Sequence, residues 1–418
     1  MNLRIAGTAG LAGVLLLAAA CSGGTIDDPQ PGAPLTALPR DLTGAEHDVL
    51  AASMDFAFAL WKQINAGARD SNVFVSPLSA SFALGMAMNG AAGPTLDDMR
   101  AGLRFGSSPL SDIDAGYHSL IGLLTSLDPK VAMQIANSIW YRNTFSFNQS
   151  FLDAGSSYFD ATIDPLNFDD QAGSLAAING WVKSKTNGRI PSIIDEIRPE
   201  NVMFVINAIY FKGSWRSRFD STLTLTSPFH AVAGDQSVKL MHRKGSVAYT
   251  EAATFQAVDL PYGDSAFAMT VVLPKTGTSV EDVAASLDAA AWQRLTPTFA
   301  TTDVDLYLPR LTLAWQRDLI PDLQELGMHA PFVRNGADFT AMSPLGKQLY
   351  ISLVRQKTFV DVNEEGTEAA AVTGVGVSVT AVEVTPVMRV DRPYIFAIRE
   401  RLTGTVIFLG KITNIPSA

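Results

Sequence analysis

The apolar residues Phe56, Leu60 and Ile64 recur every fourth position. That spacing sets them on one face, and the stretch is expected to form a helix. Asn72-Val-Phe-Val-Ser-Pro-Leu-Ser79 reads as a short strand feeding a second helix. Pro77 suits a first helical turn, and the flanking serines supply a cap. From Ser81 to Asn89 the residues Phe82, Leu84, Met86 and Met88 leave almost no polar side, so that helix is expected to be buried. Further along, the period shortens. Val131 to Tyr141, Val202 to Phe211, Ala257 to Leu260, Ala266 to Leu273, Val304 to Leu308 and Tyr394 to Arg399 are expected strands, separated by Gly and Pro. Strands and helices fall in separate clusters. That order predicts an α+β domain with more than one sheet rather than a doubly wound one.

The N-terminal region differs. Met1 to Gly7 carries one positive charge, Arg4, and Leu11 to Ala20 is apolar and rich in small residues. Counted from Ile5 the apolar stretch is 16 residues, short of the roughly 20 that a membrane span needs. This is the layout of an export signal peptide. Small residues run up to Cys21, and Ser-Gly-Gly follows it. The junction resembles a bacterial lipoprotein processing site. The resemblance implies that residues 1–20 are removed and that Cys21 becomes an acylated N-terminus. Ser22 favours outer-membrane sorting, so the expected address is the bacterial envelope, at the outer membrane or cell surface. Residues 21–44, rich in Gly, Pro, Thr and Asp, read as a flexible tether. Residues 45–418 form the folded domain, with no internal repeat.

Composition narrows the chemistry. Of 418 residues, 47% are apolar and 17% charged, which supports a large core. Thirty-one basic against 41 acidic residues give a net charge of −10, so a nucleic-acid partner is not expected. The single cysteine excludes a disulfide framework and a multi-cysteine metal site. Five histidines (His47, His118, His230, His242 and His329) leave little room for a histidine cluster. No metal and no cofactor is expected. The chain has no Gly-x-Ser-x-Gly elbow, phosphate loop, His-Glu-x-x-His or dinucleotide fingerprint, so an enzyme is not expected. Leu273-Pro-Lys-Thr-Gly277 matches a cell-wall sorting motif. It stands mid-chain with no apolar tail after it, and is expected to mark a strand end and a turn.

The most informative stretch is residues 363 to 386. From Ala369 to Val382 it has no charge, proline or large side chain. Thr367, Ala369, Ala371, Thr373, Val375, Val377 and Val379 alternate with Glu368, Ala370, Val372, Gly374, Gly376, Ser378 and Thr380. That is period two, a strand with one buried face. Thr367 to Val379 is 13 residues, about 43 Å as a strand and longer than most. Two glycines and no aromatic make it a poor permanent core strand. A segment that is at times a loop and at times a strand accounts for both features.

Asn363-Glu-Glu-Gly-Thr-Glu-Ala-Ala-Ala371 resembles the hinge of a serpin reactive-centre loop. Other blocks stand in the family's order: Asn72–Ser79, Thr186-Asn-Gly188, Asn207-Ala-Ile-Tyr-Phe-Lys-Gly-Ser-Trp215 and Ala337-Asp-Phe339. Arg392-Pro-Tyr-Ile-Phe396 and Gly404-Thr-Val-Ile-Phe-Leu-Gly410 follow. The resemblance spans about residues 45 to 416. It implies the serpin fold, with three β-sheets, eight or nine helices and an exposed reactive-centre loop.

It also implies a mechanism. A protease attacks the loop as substrate, the loop inserts as a new strand of the large sheet, and the protease is trapped as an acyl adduct. The handed-down hinge is Glu364, Glu365, Gly366, Thr367, Glu368, Ala369, Ala370 and Ala371. Its inward positions Thr367, Ala369, Ala371 and Thr373 are small and uncharged, which favours an inhibitor over a non-inhibitory binding or chaperone-like relative whose loop is only cleaved. Counting 16 residues from Glu364, the family spacing, gives the reactive bond Thr380–Ala381. Counting back from Pro393 points to Val382–Glu383, and Val379 is a further alternative. Small or aliphatic residues there suit an elastase-like or subtilisin-like serine protease. Cysteine proteases are a second class, and Glu383 leaves a glutamate-specific protease open. No Lys or Arg lies between Lys357 and Arg389, which excludes an efficient trypsin target. The resemblance places Ser76, Ser79, Asn207, Trp215 and Gln356 where the sheet opens. Many relatives carry histidine at the position of Gln356, and glutamine cannot titrate. A monomer, held to the membrane only through its lipid, is expected.

Overall fold

Thr43 starts the first helix with a reciprocal cap: its hydroxyl accepts from Glu46 N, and the Glu46 carboxylate accepts from Thr43 N. The helix, α1, spans Gly44–Ala66 and buries Phe56, Leu60 and Ile64 completely. Ser76 caps α2 (Pro77–Met88), accepting from Ser79 N, with Pro77 in the first turn. Phe82, Leu84, Met86 and Met88 are all buried, as the absence of a polar face requires. The other helices are α3 (Gly93–Gly102), α4 (Leu110–Ser126), α5 (Gln149–Phe159), α6 (Gln171–Lys185), α7 (Val280–Ser286), α8 (Ala289–Leu295) and α9 (Ile320–Glu325). These features come from a computed structural model, which describes residues 33–367 and 385–416.

The strands, in chain order, begin with β1 (Val73–Val75), β2 (Val131–Arg142), β3 (Thr162–Leu166), β4 (Met203–Ser214) and β5 (Leu225–Ala231). Next come β6 (Gly234–Glu251), β7 (Phe255–Pro261), β8 (Phe267–Pro274), β9 (Ala300–Pro309) and β10 (Leu311–Asp318). The last are β11 (Arg355–Asn363), β12 (Gly366–Thr367), β13 (Val387–Arg389), β14 (Tyr394–Glu400) and β15 (Val406–Ile412). Every strand expected from the sequence is present to within a few residues. The mid-chain Leu273–Gly277 motif is a strand end and a turn, with Gly277 at φ +88°.

The larger hydrogen-bonded sheet runs β1-β15-β14-β8-β7-β6-β9-β13, with β5 beside β6. Two of the three expected sheets are joined in it. The 18-residue β6 carries β5 along its first part (Gly234–Leu240), β9 from Leu240 to Tyr249, and β7 at its end. The second sheet runs β10-β11-β12-β4-β2-β3. Its two faces have separate cores. Ile209 and Phe211 of β4 join the main core with α1, α2 and α4. Phe204 and Ile206 point the other way, and with Trp140 and Phe168 they pack under Ile178 and Val182 of α6. The alternation along β4 follows from the pleat.

Residues 33–43, the described part of the expected tether, lie along the domain. Leu35, Leu38 and Leu42 pack against the main core. Leu35 N donates to Asp264 O at 2.6 Å. Arg40 donates to both carboxylate oxygens of the fully buried Glu46, at 2.8 and 2.6 Å, and to Ser119 of α4 at 2.8 Å. The Arg40 guanidinium holds the Glu46 carboxyl down at about 2 against its burial.

Candidate functional site at an open strand position

Glycine is required where the chain enters the second sheet. At Gly366 a Cβ would stand 2.1 Å from Gly213 O, so a larger residue cannot lie this close to β4. Its absence lets β12 fit between two strands. Gly366 pairs with Asn363 of β11 and Ser214 of β4, and Thr367 with Val362 and Gly213. Thr367 is buried, and its hydroxyl meets the Tyr262 hydroxyl at 2.7 Å. Tyr262 stacks on Trp215 with ring centroids 4.5 Å apart and 12° between planes. Full burial pushes the Tyr262 phenol far above its ordinary range, so it stays a neutral hydrogen-bonding group.

The residues before Gly366 are held as firmly. Trp215 Nε1 donates to Asn363 O, and Trp215 N to Glu365 O, both at 2.8 Å. Phe219 N donates to Glu364 O at 2.9 Å. The Glu364 carboxylate accepts from Arg310 Nε at 2.9 Å and Nη2 at 2.7 Å, and from Thr224. Burial pushes that carboxyl up, but the bonds from Arg310 and Thr224 outweigh it, and it lies below its ordinary value.

Beyond Thr367 no described residue pairs between β11 and β4. Among the described residues, β12 alone bridges β11 and β4; no hydrogen-bonded register joins those two strands directly. Cavities lie along the gap. A small one, about 20 Å³, opens under Thr367 between Ile209, Phe211 and Val360. A larger one, about 120 Å³, lies further along between Met203, Val205, Asn207 and the 351–356 segment, over Ser79 and Leu84 of α2.

The floor of the gap is polar and cross-linked. Gln356 of β11 accepts from Ser76 N at 2.8 Å and donates to Ser76 O at 2.7 Å. Ser76 Oγ donates to Ile407 O at 2.8 Å. Opposite, Asn207 Nδ2 donates to Asn137 Oδ1 at 2.7 Å, and Asn137 Nδ2 to Phe159 O at 2.6 Å. Asn207 Oδ1 is buried with no hydrogen-bond partner, a costly state unless something completes it.

The structure therefore divides the sequence-derived group. Ser76, Ser79 and Gln356 meet at the floor, Asn207 stands across from them, and Trp215 sits at the entrance with Glu364, Glu365, Gly366 and Thr367. Glu368, Ala369, Ala370, Ala371, Val379, Thr380, Ala381, Val382, Glu383 and Cys21 lie outside the described residues. Tyr262, Arg310, Thr224 and Asn137 were not anticipated. Each reaches the site from a distant part of the chain, and no local motif marks them.

Among the described residues, then, the second sheet carries only the two residues of β12 between β11 and β4, at the end of the Glu364–Thr367 segment. The sequence profile of the family described as Serpin (serine protease inhibitor) matches residues 51–415. Serpin B11 of Mus musculus is 30% identical over 386 residues, 88% of this chain and 99% of that one. An uncharacterized serpin-like protein of Thermococcus kodakarensis is 34% identical over 379 residues, covering 89% of this chain and 87% of that one. The thermophilic serpin tengpin in its native state superposes with a TM-score of 0.80 at 30% identity, covering 92% of this chain and 97% of that one. The chain belongs to the serpin family.

Proposed function

We propose that the protein is a suicide-substrate inhibitor of serine proteases, exported and anchored through a lipid on Cys21 at the outer membrane or cell surface. The observation that carries the reading is the seated hinge, Glu364 to Thr367, entering the second sheet between β11 and β4, which no described residue joins further along. The existing register supports it further. Continued past the described residues into the proposed inserted strand, that register would bring Ala369 opposite Phe211 and Ala371 opposite Ile209. Small residues thus meet large ones on the core face. Six residues on, Thr373 falls between Asn207 and Gln356, where its hydroxyl supplies a donor for the unpaired Asn207 Oδ1. Val375 and Val377 follow opposite Val205 and Met203, beside the larger cavity. Burying each valine stabilises the inserted state by about 1.5–3 kcal/mol.

Cleavage at Thr380–Ala381 releases enough chain for this strand. The acyl-linked protease then moves with the loop to the far end of the sheet. Elastase-like and subtilisin-like enzymes are the favoured targets, with cysteine proteases a second class.

The test mixes the domain without residues 1–21 with elastase and with subtilisin. An adduct that survives denaturing gels is expected, and the mass of the released C-terminal peptide gives the cleaved bond. Cleavage with no adduct, and full protease activity afterwards, across a broad protease panel would instead establish the non-inhibitory alternative.

A further inference from the structure

We propose that the anchored chain keeps its reactive-loop end beside the lipid surface, so that its partners are proteases working at that surface. The proposal rests on the lipid-anchored reading of Cys21. Its own ground is the course of residues 33–43. Arg40 is fixed on Glu46 and on Ser119, midway along α4. From Ser119, α4 continues to Ser126, and just beyond it Asp128 accepts from Asp264 N at 2.8 Å. Leu35 binds that same Asp264 through its carbonyl. The strap therefore follows the second half of α4 and reaches the Tyr262–Ser265 turn.

That turn lies at the loop end of the molecule. Gly263 N donates to Ser214 O at 3.0 Å, and Tyr262 holds Thr367. The chain thus leaves the domain beside the hinge. The opposite end, where β2 finishes at Arg142 and β4 begins at Met203, is about 40 Å away, the length of a 12-residue strand. Leu35 is 14 positions on from Cys21, and the chain between them reaches at most about 50 Å. However the domain turns, the hinge end stays within that reach of the lipid. Attachment at the opposite end would let the loop stand about 40 Å further out. Insertion carries the cleaved loop along the sheet, so a trapped protease finishes at the end remote from the anchor.

The test uses the chain from residue 21, which retains every described residue. Its single cysteine, Cys21, is coupled to a maleimide lipid in phosphatidylcholine vesicles containing an acceptor-labelled lipid. A donor dye on a non-natural amino acid replaces exposed Ser221, near the hinge, or exposed Thr144, at the far end. Energy transfer at the Ser221 position is expected to be at least about twice that at the Thr144 position, given the ~40 Å between them. The double variant Leu35→Asp, Leu38→Asp frees the strap and is expected to shrink that difference. Equal transfer at the two positions, or stronger transfer at Thr144, overturns the orientation. The anchoring reading is tested separately, by the intact mass and detergent partition of the exported full chain. An unacylated product there overturns the proposal as a statement about the native protein, whatever the vesicles show.

Discussion

Thr367→Arg puts a guanidinium where a small hydroxyl now meets Tyr262, at a position 3% exposed. A buried, unpaired cation is costly, so the first step of insertion fails while the loop remains a substrate. The expected outcome is cleavage by elastase without a stable adduct; undiminished trapping would sink the insertion mechanism. Thr373→Val tests the far side of the same strand. It keeps the shape and removes the donor for Asn207 Oδ1. The cleaved form is expected to lose about 1–3 kcal/mol, read as a lower unfolding midpoint, with the uncleaved form unchanged. At this scale the sequence was partly legible. Thr367 announced itself through the period-two pattern, and Gln356 could be read as a bridge that both donates and accepts. Tyr262, Arg310 and Asn137 could not, because their roles exist only once β4, β11 and the Tyr262 turn are assembled.

Between elements, the contact of α4 with α2 carries an ionisable group with one side-chain partner. Asp114 is buried on α4 and accepts from Asn89 Nδ2 at 2.8 Å. Burial pushes its carboxyl up to about 6 from 3.8, and the Asn89 bond only partly opposes this. The folded state therefore binds a proton more readily than the unfolded chain. This group's contribution to stability is greatest below about pH 4, falls as pH rises through about 6, and is flat above. Asp114→Asn is expected to abolish that slope and to raise stability at pH 7 by about 2–3 kcal/mol. Melting curves between pH 4 and 8 measure both effects. The helices were legible as elements because their faces repeat at the helical period. β6 was not: its first part, Gly-Asp-Gln-Ser, is polar, and only pairing with β5 makes it a strand. Nor was the start of β12 at Gly366, which depends on its fit between β11 and β4.

For the molecule as a whole, the proposed insertion would complete the second sheet and bury the cavities along the gap. New backbone hydrogen bonds and buried valines all favour the cleaved form. Cleavage within 379–383 is expected to raise the melting temperature by more than about 10 °C, measured by calorimetry on the cut, unseparated chain. An unchanged midpoint would show that the loop stays outside. The expected three sheets were legible from the family resemblance, whereas the vacancy beneath the hinge was not, since it is a relation between strands that the sequence sets far apart.

The two seated residues of β12 have a kinetic consequence. Strand addition, like helix growth, is slowest at its first step, when order is imposed before many bonds reward it. Here that nucleus exists before any protease arrives, with Glu364 clamped by Arg310 and Thr367 locked on Tyr262. In the proposed mechanism, insertion would then proceed as a zip with its slider already engaged, from one end and in one register. The proposed trap, racing ester hydrolysis, would gain from beginning partway through its own closing stroke.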